Sequence, residues 1–253
     1  IYNGEIYNHR EIRENLKSNN INWLGNSDTE TLVNCIEIIG FKKTLEMLRG
    51  MFSIALWDKK TEELWLARDR FGEKPLFYGI QNNVFLFGSQ ISSIRKHKAF
   101  NNKINKNAVD DFFKNSFIGI GHSIYSGILK LTPGTYIKIS NDNLINQTLP
   151  RPKVYWSLED AYSDLHRPLN ENYEISKKNL TELIDRSVSS MMISDVPIGA
   201  FLSGGIDSSL IAYFMQKNSN QKIKTFTIGF EQDKYDEAKY AKKVANIIGT
   251  DHK

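Results

Sequence analysis

The sequence predicts an α+β sandwich followed by a parallel α/β unit within its 253 residues. Three observations carry this expectation. Up to about Trp156, short alternating apolar stretches are separated by turn residues, as in antiparallel strands. Beyond Asn172, strand-like stretches alternate with helical repeats, the pattern of parallel β-α-β packing. Between residues 141 and 172 the chain is polar and carries Asn141-Asp-Asn143 and Pro150-Arg-Pro152, a linker composition. The length suits one or two domains, and the expected boundaries are 1–156 and 157–253.

Along the first part, Asn8 is placed to cap a helix running through Leu16. Residues 21–24 read as a short strand and 29–39 as a second helix, on which Leu32, Cys35, Ile36 and Ile39 share one face. A cysteine at that spacing behaves as a small buried apolar group. Strand-like segments follow at 51–57, 63–67, 76–80 and 84–87, and their spacing predicts one antiparallel meander. Residues 108–113 read as a helix, and Pro133-Gly134 turns the chain into a strand at 135–139. In the second part Leu180, Leu183, Ile184, Val188, Met191 and Met192 recur at helical spacing, and the methionine pair reads as core. A strand at 198–202, a helix to about Lys217, a strand at 223–230 and a helix at 236–249 complete it. Ligands of such sheets bind at the carboxyl ends of the strands, which puts Ser203 and Gly229 on one rim.

Composition excludes several classes. The chain is 40% hydrophobic and 25% charged, enough for packed cores, and its single cysteine excludes a disulfide framework. The net charge of +4 comes from dispersed lysines, so a solvated surface is expected and no nucleic-acid partner. The longest apolar runs, such as residues 51–57, fall far short of the ~18 residues of a membrane helix, and a cytoplasmic location is expected.

The segment Ser203-Gly-Gly-Ile-Asp-Ser-Ser209 is built to hold phosphate. Gly204 and Gly205 allow a tight turn and close backbone approach. Ser203, Ser208 and Ser209 add hydroxyl donors, and a helix starting near Ser208 adds free N–H groups and a positive dipole end. No lysine is present, so this is not the loop that grips a γ-phosphate. Asp207 beside a phosphate site suggests Mg²⁺, bridged from carboxylate to phosphate. A glycine turn with serine caps would account for the same residues without a ligand.

Following a strand, this loop resembles the pyrophosphate loop of ATP pyrophosphatases, which cleave ATP between its α and β phosphates. The opening Asn3-Gly-Glu-Ile-Tyr-Asn8 and the later Gly25-Asn-Ser-Asp-Thr-Glu30 resemble class II glutamine amidotransferases. The order of parts is similar to the glutamine-hydrolysing asparagine synthetase family. Residues 48–58, 67–78, 131–134, 194–197 and 249–252 agree, so the likeness covers nearly the whole chain. It implies a four-layer N-terminal-nucleophile sandwich followed by an ATP-pyrophosphatase-type parallel sheet, truncated at its far side.

Amide hydrolysis passes through a tetrahedral oxyanion that needs fixed donors. The Asn3 side-chain amide and the Gly4 backbone N–H are the expected pair, although Asn-Gly is also a common tight turn. By resemblance, Asn3, Gly4, Glu5 and Asp28 hold glutamine, with Glu5 and Asp28 accepting its α-ammonium. Ser27 and Glu30 also read as a capping box. The resemblance places ATP on Phe201, Leu202, Ser203, Gly204, Gly205, Asp207, Ser208, Ser209 and Ile228, with adenine against Phe201 or Leu202 and Ile228. Phe201 stands where the family carries a smaller aliphatic, and Gln90 replaces a glutamate typical of it, in a region of domain contact.

The family's nucleophile is an N-terminal cysteine, whereas residue 1 is isoleucine and Cys35 sits on an apolar helix face. A later acidic Ser-Gly loop and a lysine of the family are also not among these residues. An internal fragment is therefore expected, one that alone neither hydrolyses glutamine nor forms an amide. The implied activity couples glutamine hydrolysis to amidation of aspartate through an adenylate, with ATP and Mg²⁺ and in a form compatible with a homodimer. A different carboxylate acceptor and a non-catalytic nucleotide- and glutamine-binding regulator are the alternatives. An ammonia-dependent pyrophosphatase would leave Asn3, Gly4, Glu5 and Asp28 without a task, and a sugar-phosphate aminotransferase would not need residues 203–209.

Overall fold

A computed structural model describes residues 1–163, 172–194, 196–232 and 236–253. Asp195 of the 194–197 motif and the 164–171 stretch of the expected linker lie outside the described residues. The chain divides into two compact units, Ile1–His166 and Arg167–Lys253.

The first unit opens with β1 (Tyr2–Ile6), α1 (His9–Asn15), α2 (Asp28–Ile39) and α3 (Phe41–Met47). Next come β2 (Gly50–Asp58), β3 (Glu63–Arg68), β4 (Phe77–Gln81), β5 (Val84–Gly88), α4 (Ile91–Ile94) and α5 (Lys106–Asn115). The unit ends with β6 (Ile128–Lys130), β7 (Thr135–Ile139), α6 (Asn141–Ile145), β8 (Lys153–Val154) and α7 (Leu158–Ser163). One antiparallel sheet has the order β1-β2-β3-β7-β8, and a second has β5-β4-β6.

Alternation along each strand explains the layers. Phe52, Ile54, Ala67 and Tyr136 face Ile12, Leu32, Cys35, Phe41 and Leu45 of the first three helices. Ala55, Leu66, Ile137 and Ile139 of the same sheet face Tyr78, Phe85 and Phe87 of the other. On the far side of that second sheet, Leu86 and Ile128 pack on Ile94 of α4. The order is thus helix, sheet, sheet, helix. Cys35 is fully buried, as its helical face predicts, and burial pushes its thiol up.

Several expectations are corrected. The four strands from residue 50 to 88 form two hairpins in two sheets, because the 68–75 loop carries the chain from one layer to the next. Residues 21–24 form no strand. Arg13 stacks on Trp23, and Glu30 captures the Leu24 and Gly25 N–H groups at 2.6 and 3.0 Å. The capping box is consequently half formed. Ser27 Oγ accepts from Glu30 N at 3.2 Å, while the Glu30 carboxylate is spent on the preceding loop and on Arg13, which hold it below the usual carboxylate range. Asn8 stands at the N-cap of α1, but its side chain bridges Met47 O and Arg49 N instead. Within the 141–172 stretch in which the linker is expected, residues up to Tyr155 still pack on the first unit, since β8 extends the first sheet and Tyr155 is buried with its hydroxyl on Arg68 O at 2.9 Å.

Asp69 organises the interlayer loop. Its fully buried carboxylate accepts from Phe52 N, Phe71 N, Glu73 N and Lys74 N at 2.9 to 3.2 Å. Arg68 takes the loop's carbonyls, donating to Gly72 O, Lys74 O and Leu131 O.

The second unit runs α8 (Tyr173–Ser190), β9 (Gly199–Phe201), α9 (Ile206–Lys217), β10 (Lys224–Phe226), α10 (Ala238–Ile248) and β11 (Asp251–His252). Its strands are all parallel, in the order β11-β10-β9. Val188, Phe214, Met215 and Ile223 form one cluster, with Ile184 and Met192 against it, and Leu202, Ala212, Ala241 and Ala245 form another. Of the methionine pair expected in the core, Met192 packs on the first of these clusters while Met191 is exposed, as are Leu180 and Leu183 of the same helical repeat.

Candidate active sites

The first site forms along β1, at the edge of its sheet. Asn3-Gly4 is not a tight turn; it lies in extended strand, paired with Ser53 and Phe52. Ile1 and Ala55 exchange both backbone bonds, and Tyr7 N donates to Arg49 O at 2.9 Å. Bonded pairs alternate in an antiparallel ladder, so the odd residues of β1 bond to β2 and the N–H groups of Gly4 and Ile6 point outward. Ile6 N donates to Asp28 Oδ2 at 3.0 Å, which seats the carboxylate on that outer edge. Gly4 N–H lies two residues away, ~7 Å along the strand.

Gly4 must lack a side chain because β1 presses on β2: a Cβ would stand 2.1 Å from Met51 O and 2.7 Å from Phe52 Cα. Asn3 and Glu5 project to the face opposite Tyr2 and Ile6, and Asn3 Nδ2 donates to Ser89 Oγ at 3.1 Å. Asp28 opens α2, and its Oδ2 also accepts the Tyr2 hydroxyl at 2.6 Å. Burial first, then this bond, raises the Tyr2 phenol far above its ordinary range, so it stays a donor. Tyr7 is raised by burial, with Glu73 and Glu5 adding to it, which marks the neighbourhood as acidic. The strand edge therefore offers an N–H donor and an amide at one end and a carboxylate at the other. That is a complement to an amino acid with a polar side chain. Tyr2, Ser53 and Ser89 take part without being evident in the sequence.

The second site lies at the carboxyl end of β9, where Ser203 to Gly205 lead into α9, which begins at Ile206 and not at Ser208. Gly204 has φ +82°, and a Cβ there would stand 2.8 to 2.9 Å from the α10 backbone at Tyr240 and Ala241. The serines brace one another. Ser203 and Ser208 hydroxyls lie 2.9 Å apart, Ser203 N donates to Ser208 Oγ, and Ser209 Oγ donates to Gly205 O at 2.6 Å. The first-turn N–H groups of α9 have no intrahelical acceptors. Asp207 sits among them in that turn, exposed.

Among the adenine candidates, Phe201 and Ile228 are 78% and 69% exposed. Leu202 is only 1% exposed and packs on α9 and α10, so its side chain is core and only its backbone faces the rim. No group of three His, Cys, Asp or Glu side chains able to hold a metal occurs among the described residues. One exposed carboxylate beside a phosphate cradle still fits Mg²⁺, which is commonly held by one or two carboxylates plus substrate phosphates. Gln90 lies at the N-cap of α4, exposed, with Ser92 Oγ 3.4 Å from its carbonyl oxygen.

Residues 1–156 match the glutamine amidotransferase domain model. The chain belongs to this family. Following the amidotransferase domain, residues 179–253 match the asparagine synthase model. The whole chain aligns at 36% identity with putative asparagine synthetase [glutamine-hydrolyzing] 2 of Methanocaldococcus jannaschii, spanning 47% of it. At 32% identity it aligns with asparagine synthetase [glutamine-hydrolyzing] 3 of Bacillus subtilis, spanning 41%. Nearly all of it (99%) aligns at 29% identity with Amidase chyE of Penicillium rubens, spanning 38%. The chain thus spans about half the length, or less, of these relatives. Glutamine phosphoribosylpyrophosphate amidotransferase from B. subtilis, a solved structure, overlays all of this chain and 69% of its own with a TM-score of 0.43 at 12% identity.

Proposed function

We propose that this chain supplies the glutamine-binding part and the start of the ATP-binding part of a glutamine-dependent, amide-forming ligase that converts aspartate to asparagine. The observation that carries the reading is the pairing, on one chain, of the β1 edge with the 203–209 loop. Glutamine lies along β1, its α-ammonium at Asp28 and Glu5 and its side-chain carbonyl at Asn3 and Gly4. As a nucleophile adds to that carbonyl, its oxygen gains charge, and the Gly4 N–H and Asn3 amide stabilise it. Cys35 is not the nucleophile, being fully buried.

At the second site the phosphates of ATP rest on the N–H groups of Gly204, Gly205 and the first turn of α9, with Ser203, Ser208 and Ser209 turning hydroxyls toward them. Phe201 and Ile228 flank adenine. Asp207 would hold Mg²⁺ beside the phosphates, and the ion would supply neutralisation of phosphate charge there. The acceptor carboxylate takes the AMP moiety, and ammonia from glutamine displaces AMP to form the amide.

The test is pyrophosphate and asparagine formation by the full-length protein with ATP, Mg²⁺, glutamine and aspartate. Stoichiometric release of both supports the reading. Pyrophosphate release with another carboxylate and none with aspartate moves the reaction to a different acceptor, such as a sugar or secondary-metabolite carboxylate. Nucleotide and glutamine binding without turnover on any acceptor would make the protein a regulator.

A further inference from the structure

An exposed asparagine amide is a poor oxyanion donor unless something fixes it, because its terminal torsion is broad and roughly two-fold, so rotation can present either the nitrogen or the oxygen. If the amide turned over, its oxygen would face the developing negative charge. Asn3 is exposed and stands on an edge strand. A contact able to fix it comes from 86 residues away, where Asn3 Nδ2 donates to Ser89 Oγ at 3.1 Å.

Ser89 follows β5 of the second sheet and is half-buried, and its hydroxyl lies 3.4 Å from that of Ser53. Ser53 is itself buried and stands directly opposite Asn3 in the ladder. When Ser89 gives its proton to Ser53, its oxygen can only accept, and an acceptor there selects the amide nitrogen over the amide oxygen. One of the two Asn3 N–H bonds is then occupied, and the other stays directed away from Ser89, free for the oxyanion.

We propose that Ser89, backed by Ser53, is a positioning residue that fixes the orientation of the Asn3 amide for the glutamine half-reaction. This rests on the oxyanion role of Asn3 given above. The second sheet thereby sets the geometry of a group carried by the first.

The experiment is steady-state glutamine hydrolysis by the full-length protein with Ser89→Ala, Ser89→Thr, Ser53→Ala, Asn3→Ala and the Ser89→Ala/Asn3→Ala pair. Asn3→Ala is expected to lower kcat about 100-fold. Ser89→Ala should lower kcat about tenfold with KM within about twofold, the mark of a group acting only in the transition state. Ser89→Thr, which keeps the hydroxyl, should recover most of the rate, and Ser53→Ala should show a smaller loss than Ser89→Ala. In the Asn3→Ala background, Ser89→Ala should add nothing. Wild-type kcat in Ser89→Ala, or full additivity in the pair, overturns the positioning role while leaving Asn3 in place. Wild-type kcat in Asn3→Ala removes the oxyanion reading and the role of Ser89 with it. Should Ser89→Ala not fold, the Ser53→Ala loss and its disappearance in the Asn3→Ala background decide the question.

Discussion

At the scale of single residues, His9 shows how burial next to the first site becomes a pH dependence. It is buried in the first turn of α1, and its Nδ1 has no hydrogen-bond partner among the described residues. Burial holds its imidazole below the ordinary range, helped by Arg10 and Arg13 and opposed by Asp28. Between that lowered value and ~6.5 the unfolded chain binds a proton that the folded chain refuses. The stability is therefore fully present above ~6.5 and is lost as pH falls through the folded value. His9→Gln is expected to flatten the fall in urea midpoint between about pH 7.5 and 5, and equal slopes in the two proteins would refute this. Other single residues were legible in the sequence to different degrees. Asn3 and Gly4 stand out as adjacent donors suited to an oxyanion, whereas Asp28 is singled out by family resemblance alone, and all three enter the proposed glutamine site. Tyr2, Ser53 and Ser89 do not stand out, because their roles depend on contacts 26 to 86 residues apart that only the folded sheets create.

At the scale of elements, α2 was readable because it buries one face and keeps a helical period, and the strands from residue 50 to 88 were readable as short apolar stretches between turn residues, although β2 and β3 are buried on both faces. β1 was obscured by Asn-Gly, which serves a turn as readily as a strand pressed against its neighbour. The two-residue strands β8 and β11 are too short to carry any period, and α3, which starts directly after Gly40, looks like an extension of α2. Between β9 and α9 the decisive contact is again remote. Gly204 is left-handed and touches the start of α10, so a methyl group there meets backbone that has no room to yield. Gly204→Ala should cost about 1–2 kcal/mol from the backbone conformation alone, with the clash in addition. A thermal melt of the variant, together with loss of ATP binding, is the measurement. A variant that binds ATP normally would show that the loop does not need this turn.

At the scale of the whole molecule, every cluster of the first unit closes on residues of that unit. The last buried apolar side chain contributed before α7 is Tyr155. A polypeptide of residues 1–156 is therefore expected to unfold in one cooperative transition, read by circular dichroism against urea. A broad, non-cooperative melt would show that the unit needs more of the chain. No described helix is long and apolar enough to cross a membrane. Asp69 gives this unit a further property. Its carboxylate closes the N–H groups of Phe71, Glu73 and Lys74 around one buried point, and that point is tied to β2 through Phe52 N. A connection between two sheets would ordinarily be the first segment to trade its amide protons with water. In this molecule those three amides are expected to be released only when the layer beneath them opens, so hydrogen–deuterium exchange should find this surface loop exchanging on the timescale of the core.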